Sequence, residues 1–266
     1  MNSLLSFWQK APVEWDSAPT IPPGHRVYAV GDVHGHDLLL GELLALIEAD
    51  IAARQAAQVT IVFLGDLIDR GPSSAAVVER LRTYRPLGVR VEFLAGNHEE
   101  VLLRILNGEG DLLADWLRFG GAQCARSYGL RPSNLMKLPV DRAIAALRLA
   151  IPATHQAFLA SFSDSLRAGD YYFVHAGIRP GIPLGEQAQS DLRWIRGPFL
   201  DHPVRHEAMI VHGHTVRSEV EETLGRIGID TGAYVHGVLT AIGLEGDQRW
   251  YLQARHNASA TLAAAR

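Results

Sequence analysis

Residues 26–71 read RVYAVGDVHGHDLLLGELLALIEADIAARQAAQVTIVFLGDLIDRG, and this stretch decides the fold. Arg26–Val30 is a short apolar run ended by Gly31-Asp32, and Leu38–Arg54 is an amphipathic run that Asp37 is placed to cap. Val59–Leu64 repeats the apolar run, ends at Gly65-Asp66, and is followed by the helical pattern Ser73–Arg85. Val89–Leu94 and Glu99–Leu106 form a third such pair. The succession βαβαβα predicts a mostly parallel sheet with helices on its faces. In an open sheet of that kind, ligands collect outside the carboxyl ends of the strands.

Working outward, residues 1–25 are Pro-rich and aperiodic (Pro12, Pro19, Pro22, Pro23) and read as an arm. The middle, about 111–167, is helical without a clear strand and reads as an insertion covering the sheet. Strands resume at Tyr171–Val174 and Ala208–Val211, and Arg226–Asp230, Tyr234–Ile242 and Arg249–Gln253 read as a closing antiparallel set. The Ala-rich residues 256–266 read as a tail.

Composition excludes several classes. With 266 residues, 47% hydrophobic and 20% charged, the chain can fill a core and is not intrinsically disordered. No apolar run approaches the ~18 residues of a membrane span, and the start has no signal-peptide pattern. A single cysteine, Cys124, excludes an internal disulfide framework and a Cys-rich zinc module, and suits a reducing, cytoplasmic setting. A net charge of −4 offers no general attraction for nucleic acid. Twelve histidines are many, and several stand beside glycines and aspartates at strand ends.

Five blocks follow apolar strands: GDVHG (31–35), GDLIDRG (65–71), GNHE (96–99), VHAG (174–177) and HGHT (212–215). Asp32 and His34 lie two apart, so extended backbone would aim both to one side. Asp66, Asn97, His175 and His214 add oxygen and imidazole donors without sulfur, a mix suited to Mn²⁺ or Fe²⁺, with Zn²⁺ as a further option. Six side chains exceed what one such ion takes once water is added. They suit two divalent ions sharing a carboxylate, with Asp66 on the middle strand as the bridge. Other strand-end groups read more blandly. Glu99 starts the next helix, Asp230 serves a turn or supports a ligating histidine, and His25, His202, His206, His236 and His256 lie at the surface. Trp194 and Phe199 pack in the core or at the rim.

The order and spelling of these blocks resemble the metallophosphoesterases, in particular the phosphoprotein phosphatase branch and its bacterial Ser/Thr members. The resemblance runs from Gly31 to Thr215, and the later stretches 191–196 (DLRWIR) and 229–232 (IDTG) resemble bacterial members further. It implies an α/β fold built on a β-sandwich flanked by helices, with a calcineurin-like domain over 26–255. It implies that Asp32, His34 and Asp66 hold one metal, and that Asp66, Asn97, His175 and His214 hold the other, most often Mn. His98 would be the general acid, Asp69 its orienting partner, Arg70 a phosphate ligand and Arg196 the second arginine, with Arg193 a rival for that place. The implied reaction is direct in-line attack on phosphorus by a hydroxide bridging the metals, with phosphorylated protein or peptide as substrate.

Two alternatives stand beside it. A dinucleoside polyphosphate or nucleotide-cap hydrolase would use the same metals on nucleotides. Asp69 speaks against the symmetrically cleaving kind, which typically lacks a carboxylate there, since a phosphate leaving group needs less help from an oriented acid. A phosphopeptide-binding pseudoenzyme would require a lost ligand, and every matching position here keeps a competent one. No stable complex with nucleic acid or membrane is expected.

Overall fold

The computed structural model describes residues 18–202 and 204–256. Most of the predicted arm and tail, 1–17 and 257–266, therefore lies outside the described residues. Strands β1 (His25–Val30), β2 (Gln58–Phe63) and β3 (Val89–Phe93) run parallel, as the opening stretch predicts. Helices α1 (Asp37–Ala53), α2 (Ser74–Thr83) and α3 (Asn97–Leu106) follow them in turn. Helix α1 buries Leu39, Leu40, Leu43, Leu44 and Ile47, the three-and-four spacing of one helical face. Asp37 opens this helix but caps nothing; its carboxylate instead grips Arg80 of α2 at 2.6 and 2.8 Å.

The second half departs from the expected closing set. Five strands make a separate sheet: β4 (Ser165–Ala168), β5 (Tyr171–Val174), β6 (Met209–His212), β7 (Glu221–Glu222) and β8 (Arg226–Gly228). Here β5, β6 and β8 run parallel, with β4 and β7 antiparallel at the edges. Only β9 (Val238–Glu245) and β10 (Gln248–Arg255) form an antiparallel hairpin, and β9 pairs with β1 to give the order β10-β9-β1-β2-β3. Residues expected as strand at Tyr234–Gly237 form a turn, which Gly237 ends with φ 64°. Strands β4 and β7 were not expected because both are short edge strands without an apolar run.

The two sheets pack face to face. Val27, Ala29, Val62 and Leu64 of the first meet Phe173, Val211, Ile227 and Ile229 of the second in one buried cluster. The alternate residues Tyr28, Val30, Ile61 and Phe63 turn the other way, into a core shared with α1, α2 and α3. Strands buried on both faces read as continuous apolar runs, hence the strong signal of β1 and β2. The outer face of the second sheet is covered by Leu192, Ile195 and Phe199. The result is a β-sandwich flanked by helices.

The insert supplies short helices at Leu113–Trp116, Ala122–Ser127, Pro132–Leu135, Val140–Ala150 and Ala153–Ala160. Its buried residues, among them Leu113, Trp116, Cys124, Ile144 and Leu159, belong to the same cluster as the outer face of the first sheet. Among the described residues no single helix is long and apolar enough to cross a membrane.

Candidate active site

The five predicted turns meet at the carboxyl ends of both sheets. His34 N–H donates to the Asp66 carbonyl at 2.8 Å and Gly71 N–H to the His34 carbonyl at 2.9 Å. Gly213 N–H reaches the His175 carbonyl at 2.8 Å, and His98 N–H reaches Asp66 Oδ1 at 3.1 Å. Among the described residues, positive φ outside glycine occurs at His34, Asp66, Asp69, Arg70 and His214 (45°, 49°, 69°, 63° and 63°). All five were singled out from sequence. Left-handed backbone costs a side-chain-bearing residue about 1–2 kcal/mol, and such strain persists only where neighbours enforce it. His34 thus reaches the centre through a left-handed turn, not through the extended backbone expected for the Asp32–His34 pair. Gly96 shows why a side chain is excluded here, since a Cβ would lie 2.1 Å from Asp66 Oδ1.

Asp66 is the centre. Its Oδ2 lies 3.5 Å from His34 Nε2 and 3.9 Å from His98 Nε2, while Oδ1 lies 3.4 Å from His175 Nε2. Two groups of donors therefore form around it, His34–Asp66–His98 and Asp66–His175–His214, each with its donor atoms within 4.8 Å of one another and all buried. The tautomers are set from behind. His34 Nδ1–H donates to the Ile68 carbonyl and His175 Nδ1–H to the Leu64 carbonyl, both at 2.8 Å. Each Nε2 lone pair is thereby turned toward a carboxylate, an acceptor facing an acceptor. Nε2 of His34 and of His214 are buried without a hydrogen-bond partner. Lone pairs converging on a buried carboxylate are the arrangement a divalent cation satisfies, so these residues fit the implied metals.

The electrostatics agree. Burial pushes the Asp66 carboxyl up, but in acid the charged forms of His175, His98, His34 and His214 outweigh it and hold the group well below the usual carboxylate range. Asp32 is driven the other way by burial and by the neighbouring carboxylates of Asp230 and Asp66. Burial pushes His34, His175 and His214 below the usual imidazole range, His214 to about 2, which keeps them neutral and able to coordinate.

The other predicted residues take clear places. Both oxygens of Asp32 accept from His214 N–H at 3.1 Å, and Asp32 Oδ2 is 4.0 Å from His34 Nε2. Asn97 Oδ1 lies 3.1 Å from His175 Nε2. His98 Nδ1–H donates to Asp69 Oδ2 at 2.7 Å; burial opposes its charge, yet Asp66 and Asp69 raise the imidazole to about 9. The Arg70 guanidinium lies 4.3 Å above the Tyr234 ring. Of the two rival arginines, Arg193 is occupied by Asp164 at 2.6 Å and Glu100 at 3.4 Å. Arg196 is exposed, and its charge adds to the pressure that keeps His175 and His214 unprotonated.

Other residues near the centre take places that local sequence does not fix. Glu99 does start α3, but its buried carboxylate also accepts from Asp66, Leu67, Ile68 and Gly96 N–H and so clamps two turns together. Asp230 serves its turn through Gly232 N–H at 3.0 Å, while its other oxygen is buried without a partner. Tyr234, expected in a strand, stands in a turn with its ring against both His34 and Arg70. His206 is buried, not at the surface, because its ring packs on Phe199. His212 bonds the Gly213 carbonyl and belongs to neither donor group. Phe199 is in the core; Trp194 stays 41% exposed at the rim with its indole N–H on Glu100.

Residues 25–228 match the family model described as calcineurin-like phosphoesterase. The chain is 29% identical over 262 residues to the symmetrical bis(5'-nucleosyl)-tetraphosphatase of Janthinobacterium sp. (strain Marseille), covering 82% of this chain and 92% of that protein. It is 26% identical over 237 residues to the asymmetrical bis(5'-nucleosyl)-tetraphosphatase PrpE of Anoxybacillus flavithermus (strain DSM 21510 / WK1), covering 80% and 88%. A crystal structure described as a putative diadenosine tetraphosphatase superposes with a TM-score of 0.60 at 22% identity, over 91% of this chain and all of that one, a likeness of fold. The wider resemblance read from the five blocks stands. The narrower one, to Ser/Thr protein phosphatases, is not what these relatives carry.

Proposed function

The chain belongs to the calcineurin-like phosphoesterase family, and from that premise we propose that it is a metal-dependent hydrolase of dinucleoside polyphosphates. The observation that carries the reading is the single buried carboxylate, Asp66, shared by two groups of imidazoles. Asp32, His34 and Asp66 would hold one divalent ion; Asp66, Asn97, His175 and His214 would hold the other. When bound, such ions neutralise phosphoryl charge and lower the pKa of water toward ~7. The two relatives named as tetraphosphatases, each matched over most of its length, support the nucleotide substrate.

The chain's own residues divide the remaining work. Arg70, fixed by the Tyr234 ring, presents a planar fork to two phosphoryl oxygens. Arg196 adds a second positive charge and suits a polyphosphate that extends beyond the scissile bond. His98 donates Nδ1–H to Asp69, which leaves Nε2 facing the centre to protonate the departing oxygen.

A second reading, a phosphomonoesterase acting on phosphoserine or phosphothreonine, is favoured by one observation. A buried Asp69–His98 pair 2.7 Å apart is the arrangement an alkoxide leaving group needs and an anhydride needs less. Paired hydrolysis of diadenosine tetraphosphate and a phosphoserine peptide with added Mn²⁺, using Asp66→Asn as blank, separates the two. Preference for the dinucleotide sustains the proposal. Preference for the peptide transfers the function to protein dephosphorylation with the same centre, and silence on both with metal bound leaves a phosphate-binding module.

A further inference from the structure

Asp69 has a partner far from the strand-end turns. Trp116, at the end of the insert helix Leu113–Trp116, is 3% exposed, and its indole N–H donates to Asp69 Oδ2 at 3.0 Å. That oxygen also accepts His98 Nδ1–H, while Oδ1 is buried without a partner. Both N–H donors therefore converge on one oxygen, and the buried Cys124 thiol lies beside the same carboxylate. An indole N–H can only donate, so it is complementary to this carboxylate as an acceptor.

The insert grips the backbone of the same turn. Arg70 N–H donates to the Gly120 carbonyl at 3.0 Å, while from the other side Asp69 N–H donates to Ser74 Oγ of α2 at 3.0 Å. The carbonyl reaches Arg70 because the π-helical turn Leu117–Gly121 breaks helical geometry at Phe119 and at Gly120, whose φ is 127°. A Cβ on Gly120 would lie 2.7 Å from Arg70 Cγ, and one on Gly121 2.2 Å from the Trp116 ring. Two adjacent glycines thus let the indole and the Asp69–Arg70 turn pack without a layer between them.

We infer that Trp116 is a positioning residue for the His98–Asp69 pair, holding the carboxylate in the rotamer that orients His98, so that the insert is part of the reaction machinery. The inference rests on the reading of His98 as proton donor. In that step a hydroxide oxygen bonds to phosphorus as the bond from phosphorus to the leaving oxygen breaks, the electron pair of that bond goes to the leaving oxygen, and the proton on His98 Nε2 moves to it. The Nδ1 proton stays on the imidazole, held by Asp69. Without the indole N–H, Asp69 Oδ2 loses one of its two anchors and the ring loses its fixed bearing.

The test uses the full chain loaded with Mn²⁺ for kinetics and with Zn²⁺, which is diamagnetic, for NMR. Trp116→Phe is compared with Trp116 replaced by benzothienylalanine, which keeps the bicyclic shape, and so the packing, but lacks the N–H. The low-field proton resonance of His98 Nδ1–H, assigned by its loss in His98→Ala, should shift or disappear in both Trp116 variants while metal content stays unchanged. Across substituted phenyl phosphates, both variants should lose ~10–100-fold on phenyl phosphate but under ~3-fold on p-nitrophenyl phosphate, a part of the ~10²–10⁴-fold that general acid catalysis supplies. In a His98→Ala background the same replacements should change nothing further. An unmoved resonance, or equal losses on both esters, overturns the role of Trp116. If His98→Ala itself fails to steepen the leaving-group dependence, the reading of His98 falls and takes this inference with it.

Discussion

The two sheets furnish the centre in different ways. The first contributes Asp32, His34, Asp66, Asn97 and His98 on turns tied to one another by backbone hydrogen bonds, clamped from behind by Glu99 and gripped from the side by the insert. The second contributes two imidazoles. His175 is anchored across the sandwich to the Leu64 carbonyl, whereas His214 is held through its backbone N–H on Asp32 and leaves its Nε2 unpartnered. One side is cross-braced by many hydrogen bonds, and the other is tied down at fewer points. Rigidity and affinity are thus separable here, and substitutions can be chosen to strike one without the other.

The largest effect is expected where both sides meet. Asp66→Asn should lower bound metal at both positions, measured by elemental analysis, and reduce hydrolysis to background; full metal content would break the assignment of Asp66 as the shared ligand. Next, His34→Ala and His214→Ala should each weaken metal binding. The first should lower the metal-free thermal midpoint more, because the His34 ring packs against both His98 and Tyr234 and bonds the Ile68 carbonyl, whereas the His214 ring packs against His175 alone. Equal midpoints for the two metal-free variants would erase the contrast between frame and donors.

Glu99→Gln isolates the frame. The carboxylate accepts four backbone N–H groups, and an amide would turn its NH₂ toward some of them. Leaving buried donors unsatisfied costs about 1–3 kcal/mol. That corresponds to a fall of roughly 2–4 °C per kcal/mol in a domain of this size, read by calorimetry on the metal-free chain. The smallest effect is expected far from the centre. Asp50 accepts from Tyr28, Arg54 and Trp250. Partial burial opposes its charge, but those donors hold its carboxyl below the usual range. A depressed carboxylate stabilises the fold above its unfolded pKa of ~3.9, and the contribution is lost as pH falls through the lower folded value. Asp50→Asn should therefore cost under about 1 kcal/mol at pH 7, discounted for its partial exposure, and the difference from wild type should vanish in acid.

How much of this was legible follows the range of the interactions. Each such turn announces itself within a few residues, as a glycine and an acid or histidine after an apolar run, so the converging turns and the three parallel strands could be read directly. The partnership of β8 with β6 could not, because a three-residue strand looks the same whichever sheet receives it. Tyr234 was expected in a strand because it adjoins the apolar run of β9, whereas its turn is decided by packing on His34 and Arg70. Glu99 looked like an ordinary helix start, since its partners at Asp66 and Leu67 lie 33 and 32 positions earlier.

By itself the sequence determined which acid and histidine turns converge and in what order they arrive, because candidate donors, tight turns and buried strands are each written in local residue types. Only the tertiary structure decided how those residues are held. It left Arg196 free by occupying Arg193 with Asp164 and Glu100, and it brought Trp116 to Asp69 across 47 positions of chain. Such contacts depend on where a helical insert bends and on which glycines let it approach, and that is fixed by the packing of distant elements, which no local pattern records.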